Sequence, residues 1–378
     1  MTSLSSKTEG THAAPTERTL SPFIEWDEFR IHNPHTNLSV TRDAREWALL
    51  TALRNGQTSP SLTSDDLALL ESQGWLVKRG VDLSSAYLLR IVSLEVATHC
   101  NQKCYFCPVS VDPREDEEMP DSLFASIVEQ LTAYRPTLEG VFLQSYNEPT
   151  VDRRFVRHCH ELMAANLPVA VLTNGSGLAP KRVDEILQSG RLRYLGVNLS
   201  TLDRARYKAE RGADHLPVVL KNLDYIASTP VSDEMRILVL GKDDSTHADD
   251  LAAIKDRFRN TPFKVEGFSI MDRAGYLGFG LATGPDHKRL AGCDNIGSRP
   301  IQHLHITPSG NCILCCQDYD EDYVVGNLKT QSVHEVMSGP QLSKLRRWAY
   351  GIDEASDDFI CRKCIYAKTR DDGGTHRA

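Results

Sequence analysis

Three thiols fall within eight residues of one another, Cys100, Cys104 and Cys107, in Cys-x3-Cys-x2-Cys spacing. They come directly after the apolar run Ile91-Val92-Ser93-Leu94-Glu95-Val96-Ala97. Soft thiolate sulfur suits iron, and three thiolates this close can hold three irons of one cubane cluster. A [4Fe–4S] cluster takes four ligands, and no fourth cysteine is nearby. One iron is then open to a ligand that the protein does not supply. Three buried thiols or a zinc knuckle are the competing readings. Zinc, however, favours paired Cys-x2-Cys or Cys/His sets and closes at four ligands.

Six of the ten cysteines lie further on, at Cys293, Cys312, Cys315, Cys316, Cys361 and Cys364. Metal-type spacing recurs there in Cys361-Arg362-Lys363-Cys364. Cys159, on a predicted helix with no cysteine beside it, reads as core.

The first triplet, with Phe106 before its last thiol, resembles the signature of radical S-adenosylmethionine (SAM) enzymes. The resemblance implies a [4Fe–4S] cluster on Cys100, Cys104 and Cys107, with SAM chelating the open iron through its amino and carboxylate groups. It also implies cleavage of SAM to a 5′-deoxyadenosyl radical that takes a hydrogen atom from substrate. Ser145-Tyr146-Asn147-Glu148-Pro149 stands where that family has Gly-Gly-Glu-Pro. Tyr146 and Asn147 replace the glycines, and Glu148 is kept as an expected SAM contact. Thr173-Asn174-Gly175 resembles an element lining the SAM site and makes Asn174 a candidate, although Asn-Gly is also an ordinary turn pair. Ser200, in Ser200-Thr201-Leu202-Asp203, is the expected polar contact to the SAM ribose or carboxylate, while Thr201 or Asp203 could cap the next helix. Arg211 could reach the SAM carboxylate or substrate, and Arg273 could face substrate or only form a loop.

The later cysteines resemble the auxiliary-cluster extension called SPASM, or its shorter form, twitch. The match runs through Cys293, Gly310-x4-Cys315, Gly326-Asn327-Leu328 and Cys361-x2-Cys364. It implies one auxiliary [4Fe–4S] cluster on Cys293, Cys315, Cys361 and Cys364, because the denser cysteine run of a two-cluster module is missing. A structural zinc could use the same four thiols. Cys312 and Cys316 are then spare. Either could return a hydrogen atom to a substrate radical, replace Cys315 as ligand, or sit in the module's core. Strand alternation puts both on the face opposite Cys315.

The elements that must position these groups follow a strand–helix alternation. Strands are predicted at 91–97, 141–144, 169–172, 194–199, 236–240 and 264–268, with helices at 121–134, 152–166, 180–188, 215–227 and 247–257. Such βα repeats give a parallel sheet with right-handed crossovers, whose active site lies at the carboxyl ends of the strands. The fold class is therefore α/β, and the resemblance implies a partial (β/α)6 barrel over 88–285. A cluster module spans 286–378, with a hairpin about Thr307–Asn311 and helices at 333–337 and 342–348. Residues 1–22 read as a disordered tail. A winged-helix-like domain at 23–87 holds an alternating strand at Glu25–Ile31 and a helix from Thr41 burying Trp47, Leu49, Leu50 and Leu53. A second helix opens at Ser64-Asp65-Asp66 and a strand follows at Trp75–Val77. A cap over one end of the barrel is the alternative role for that domain.

The net charge of −8 argues against a nucleic-acid surface. No apolar run is long enough to span a membrane, and no signal peptide opens the chain. Clustered cysteines without an export signal point to a reducing cytoplasm. The expected function is a radical SAM enzyme of oxidoreductase or epimerase type, abstracting hydrogen from a natural-product substrate. The N-terminal domain tilts the substrate towards a ribosomal precursor peptide, to be oxidised, cross-linked or epimerised. A sugar or aminocyclitol is the alternative, and a flavodoxin or ferredoxin is the expected reducing partner.

Overall fold

The structure is a computed structural model, and it describes residues 17–56, 62–278 and 289–369. The chain divides after Leu83 into two compact units. The N-terminal unit contains β1 (Arg18–Leu20), β2 (Glu25–Trp26), β3 (Arg30–Asn33), β4 (Leu38–Thr41), α1 (Arg45–Arg54), α2 (Ser64–Ser72) and β5 (Leu76–Lys78). The single strand expected at 25–31 is thus two, because the Asp27 carboxylate accepts from Phe29 N and Arg30 N and turns the chain into a β2–β3–β4 meander. Residues 18–20, expected in a tail, pair antiparallel with β5. Three residues carry no periodic signal, and a partner far along the chain supplies the order. Thr63, not Ser64, caps α2, in a reciprocal capping box with Asp66. Ile31, Leu50, Leu70 and Trp75 form the fully buried centre of this unit, and Trp47, Leu53 and Leu67 pack around it half-buried.

The second unit holds β6 (Ile91–Leu94), α3 (Pro108–Val111), α4 (Asp121–Leu131), β7 (Gly140–Phe142), α5 (Phe155–Ala164), β8 (Val169–Thr173), α6 (Pro180–Leu187), β9 (Leu192–Asn198), α7 (Arg204–Arg211), α8 (Leu216–Ser228), β10 (Ser232–Gly241), α9 (Ser245–Arg257) and β11 (Lys264–Ser269). Then follow β12 (Leu290–Cys293), α10 (Arg299–Gln302), β13 (His303–Ile306), β14 (Asn311–Ile313), β15 (Val324–Asn327), α11 (Val333–Met337), α12 (Pro340–Ala349) and β16 (Ala367–Thr369). Strands β6 to β11 lie side by side in chain order, all parallel, as the βα repeats require. Val92, Leu94, Val141, Val171, Val197 and Ile237 are buried together on one face of this sheet, while Ser93, Leu172, Asn198 and Leu238 on the other face line a cavity. Helix α4 shows the matching stripe, burying Leu123, Phe124, Ile127, Val128 and Leu131.

The cluster module continues this sheet. β13 runs parallel to β6, and the expected hairpin brings β14 back antiparallel to β13, with β15 beyond it. One nine-stranded sheet therefore carries both cysteine-rich regions. The boundary expected at 285/286 lies outside the described residues. Among the described residues, no helix is long and apolar enough to cross a membrane.

Candidate active site

The tips of β6 to β10 and the turn after β11 surround a cavity of about 330 Å3. Cys100, Cys104 and Cys107 line it together, on the loop that leaves β6. That loop is pinned by the neighbouring tips. Glu148 N donates to His99 O at 2.9 Å, Asn174 Nδ2 to Asn101 Oδ1 at 2.8 Å, and Gln102 Nε2 to Tyr207 Oη at 2.9 Å. Lys103 N and Tyr105 N donate to the carbonyls of Arg211 and Glu210 at the end of α7. Gly212 ends that helix in a left-handed conformation, φ +66°, where a Cβ would sit 3.0 Å from Lys103 Cβ and 3.2 Å from Lys103 O. The helix end and the cysteine loop can approach this closely only because residue 212 is glycine.

The cavity walls partly shield the loop thiols from water. Desolvation by the cavity walls raises all three thiols, Cys100 to about 12. Coordinated metal reverses that preference and takes the thiolates. Three buried polar atoms on the wall have no hydrogen-bond partner: Asn147 Nδ2, Arg211 Nε and Gln317 Oε1. Buried polar groups are seldom left so, and these three belong to residues that line one cavity. Among the described residues, no group of three or more His, Cys, Asp or Glu is placed to hold a single metal ion.

Each expected SAM contact has a definite place. Glu148 is buried, and its carboxylate accepts from Thr150 N, Thr150 Oγ1, Thr173 Oγ1 and Asn174 N at 2.5–3.0 Å. Burial raises its carboxyl and those four donors oppose the rise. Asn174 lines the cavity with its side chain tied to Asn101 and Ser176. Arg211 is buried, stacks 5.2 Å over the Phe106 ring, and donates to Ser200 Oγ at 2.6 Å. Phe106 and Arg211 face the cavity, whereas Ser200 is not part of its lining and holds Arg211 from behind. Asp203 caps α7 by accepting from Arg206 N, and Thr201 binds Asp250.

A second, small cavity is lined by Cys293, Cys315, Cys361 and Cys364, among Leu314, Ile360 and Ala367. The β12–β16 pair sets Cys293 opposite Ala367, which brings it to the Cys361–Cys364 turn. The two spare cysteines do not share a face. Strand β14 ends at Ile313, so alternation does not extend to Cys316. Cys312 is fully buried and lines neither cavity, while Cys316 lines the larger one together with the three loop thiols. Cys159 is buried in α5.

Sequence reasoning missed one ion pair entirely. Glu95 is buried just past β6, and Arg114 clamps it at 2.6 and 3.0 Å. Glu95 also accepts from Tyr146 N at 2.9 Å, and the Tyr146 hydroxyl donates to Cys316 O. A lone acid closing an otherwise apolar strand was the available signal. Tyr366, Asn295 and Arg299 on the cavity wall gave none.

Two family models match the chain. The radical SAM superfamily model matches residues 94–252, and an iron–sulfur cluster-binding domain, SPASM, matches 293–365. The chain is a radical SAM protein with a SPASM domain. Its cofactors are accordingly a [4Fe–4S] cluster, SAM and auxiliary iron–sulfur. A curated relative, the S-adenosyl-L-methionine-dependent 2-deoxy-scyllo-inosamine dehydrogenase of Niallia circulans, is 21% identical over 73% of this chain and 93% of its own length. Among solved structures, Streptococcus suis SuiB bound to precursor peptide SuiA matches with TM-score 0.57 and 13% identity, over 92% of this chain and 93% of that one. The enzyme anSMEcpe with bound AdoMet matches with TM-score 0.52 and 13% identity, over 73% and 83%. At these identities the solved structures establish the fold, an α/β arrangement about a central, largely parallel sheet.

Proposed function

We propose that this radical SAM protein abstracts a hydrogen atom from a ribosomal precursor peptide and that the Cys316 thiol returns one to the peptide radical, the Cys316 thiyl left behind taking an electron from the external reductant and a proton from solvent. The observation that carries this reading is a single cavity lined by Cys100, Cys104, Cys107 and Cys316. Cys100, Cys104 and Cys107 would hold the SAM-binding cluster, and Cys293, Cys315, Cys361 and Cys364 the auxiliary one. When bound, cluster and SAM supply the hydrogen-abstracting radical; the protein supplies position and excludes water. Arg211, with Phe106 beneath it, would hold a carboxylate. Glu148 fixes the Asn174 backbone and the Thr173 hydroxyl beside the cysteine loop. Cys312, buried away from the cavity, is left with a packing role.

The peptide reading is supported by the N-terminal unit, which has its own core, and by the likeness in fold of 92% of the chain to SuiB, a protein solved with a precursor peptide bound. The curated dehydrogenase favours a second reading, oxidation of an aminocyclitol. Full-length reconstituted enzyme, SAM and reductant in D2O test both with short peptides encoded beside the gene and with 2-deoxy-scyllo-inosamine. The proposal expects a peptide product carrying deuterium from solvent, lost in Cys316→Ala. An oxidised aminocyclitol without deuterium would replace it with the second reading.

A further inference from the structure

The cavity is unevenly charged. Three arginines line it, Arg211, Arg273 and Arg299, against one acid, Glu148, whose oxygens are already taken by four protein donors. Arg211 lies at the Cys104 end, 3.9 Å from that sulfur. Arg273 and Arg299 lie towards the C-terminal module, both within electrostatic reach of Tyr366. Arg299 gives its Nε and Nη2 to the carbonyl and amide oxygens of Asn295, and its Nη1 meets His305 Nε2 at 3.4 Å. Arg273 rests 5.5 Å over the Tyr146 ring. Among the described residues, neither guanidinium has a carboxylate partner.

The backbone at this point is strained as well. Arg273 and Ala274 are consecutive non-glycine residues in the left-handed region, at φ +59° and +57°. Such conformations persist where the surroundings impose them, and they gather at ligand sites. Here the bend separates two neighbours. Asp272 is buried outside the cavity lining, and Arg273 faces into the cavity. Arg273 is half-buried, and a cation drawn partly out of water is costly unless an anion meets it. The protein offers Arg273 an aromatic face and no acid, so the site is made for an anion that arrives.

We propose that Arg273, seconded by Arg299, binds an oxyanion on the substrate, a carboxylate or a phosphate, and fixes which carbon faces the three-cysteine loop. This rests on the larger cavity being the active site. A planar guanidinium fork suits both anions and orients what it holds. Of the two arginines, Arg273 has the freer fork and carries most of the selection. A neutral substrate would leave both cations unmatched. The competing role is balance of charge at the SAM-binding cluster, since Cys107 is also within electrostatic reach of Arg273.

The test uses holoenzyme reconstituted with both clusters and saturated with SAM, so that Arg211 is engaged. It is titrated calorimetrically at low ionic strength with inorganic phosphate, with succinate, and with glycerol as a neutral probe. At least one anion should bind and glycerol should not, and the anion that binds tells a phosphorylated from a carboxylated substrate. Arg273→Gln should weaken that binding about tenfold, with Arg273→Lys between. Cluster absorbance of each variant checks folding, and Arg299→Gln, expected to cost less, serves if Arg273→Gln does not fold. The proposal is overturned if neither anion binds the wild type, or if Arg273→Gln binds as the wild type does and shifts only the cluster midpoint potential. Formation of 5′-deoxyadenosine by the same wild-type sample is measured separately, so a failed radical SAM assignment is told apart from a failed anion site.

Discussion

Arg114→Met should loosen the cavity wall in a pH-dependent way. The Glu95 side chain is 1% exposed and that of Arg114 19%, with the two joined at 2.6 and 3.0 Å. Removing the guanidinium leaves a buried carboxylate with Tyr146 N as its remaining donor. Breaking a buried pair costs roughly 3–5 kcal/mol, and because Arg114 is partly solvated the lower end applies, about 3 kcal/mol. For a chain of this size that is a fall in Tm of about 4 °C. Burial already raises the Glu95 carboxyl above its ordinary value, with Arg114 opposing. Without Arg114 it rises further. An acid whose folded pKa is raised binds more protons in the folded state, so stability is lost as pH climbs through that folded pKa. The deficit should be greatest at pH 8 and shrink towards pH 5. Thermal melts of wild type and Arg114→Met across that range measure it, and Glu95→Gln in the same chain should recover most of the loss at pH 8. Equal deficits at pH 5 and pH 8 would refute the buried-carboxylate argument.

Two further outcomes follow from the packing. Gly212→Ala should cost about 1–2 kcal/mol from its left-handed backbone alone, and more from its contact with Lys103. It should also lower iron retained at the cysteine loop, read by iron assay after gel filtration. Cys312→Ala should keep full iron content, whereas Cys361→Ala should lose the auxiliary cluster, about four irons per chain. Iron lost with Cys312 instead would reassign the auxiliary ligands.

Much of this was legible in the sequence because local rules carried it. The cysteine triplet, the strand–helix repeat and the Thr307–Asn311 hairpin each depend on residues close along the chain. What was missed depends on distance. Arg114 meets Glu95 across 19 positions, and β1 finds β5 across more than fifty. The cluster module could be read as separate from its cysteines, yet β13 sits beside β6 because the register His303↔Ile91 continues the sheet. The placement of Cys312 and Cys316 on one face failed for a plain reason: β14 stops at Ile313, and alternation cannot be projected past the end of a strand.

The most direct test of the central claim is anaerobic incubation of the reconstituted protein with SAM and dithionite, with product read by chromatography. An open-cornered cluster on Cys100, Cys104 and Cys107 predicts 5′-deoxyadenosine from the wild type and none from Cys104→Ala, whose auxiliary iron should remain. Undiminished 5′-deoxyadenosine from Cys104→Ala, or none from wild type carrying both clusters, would contradict it.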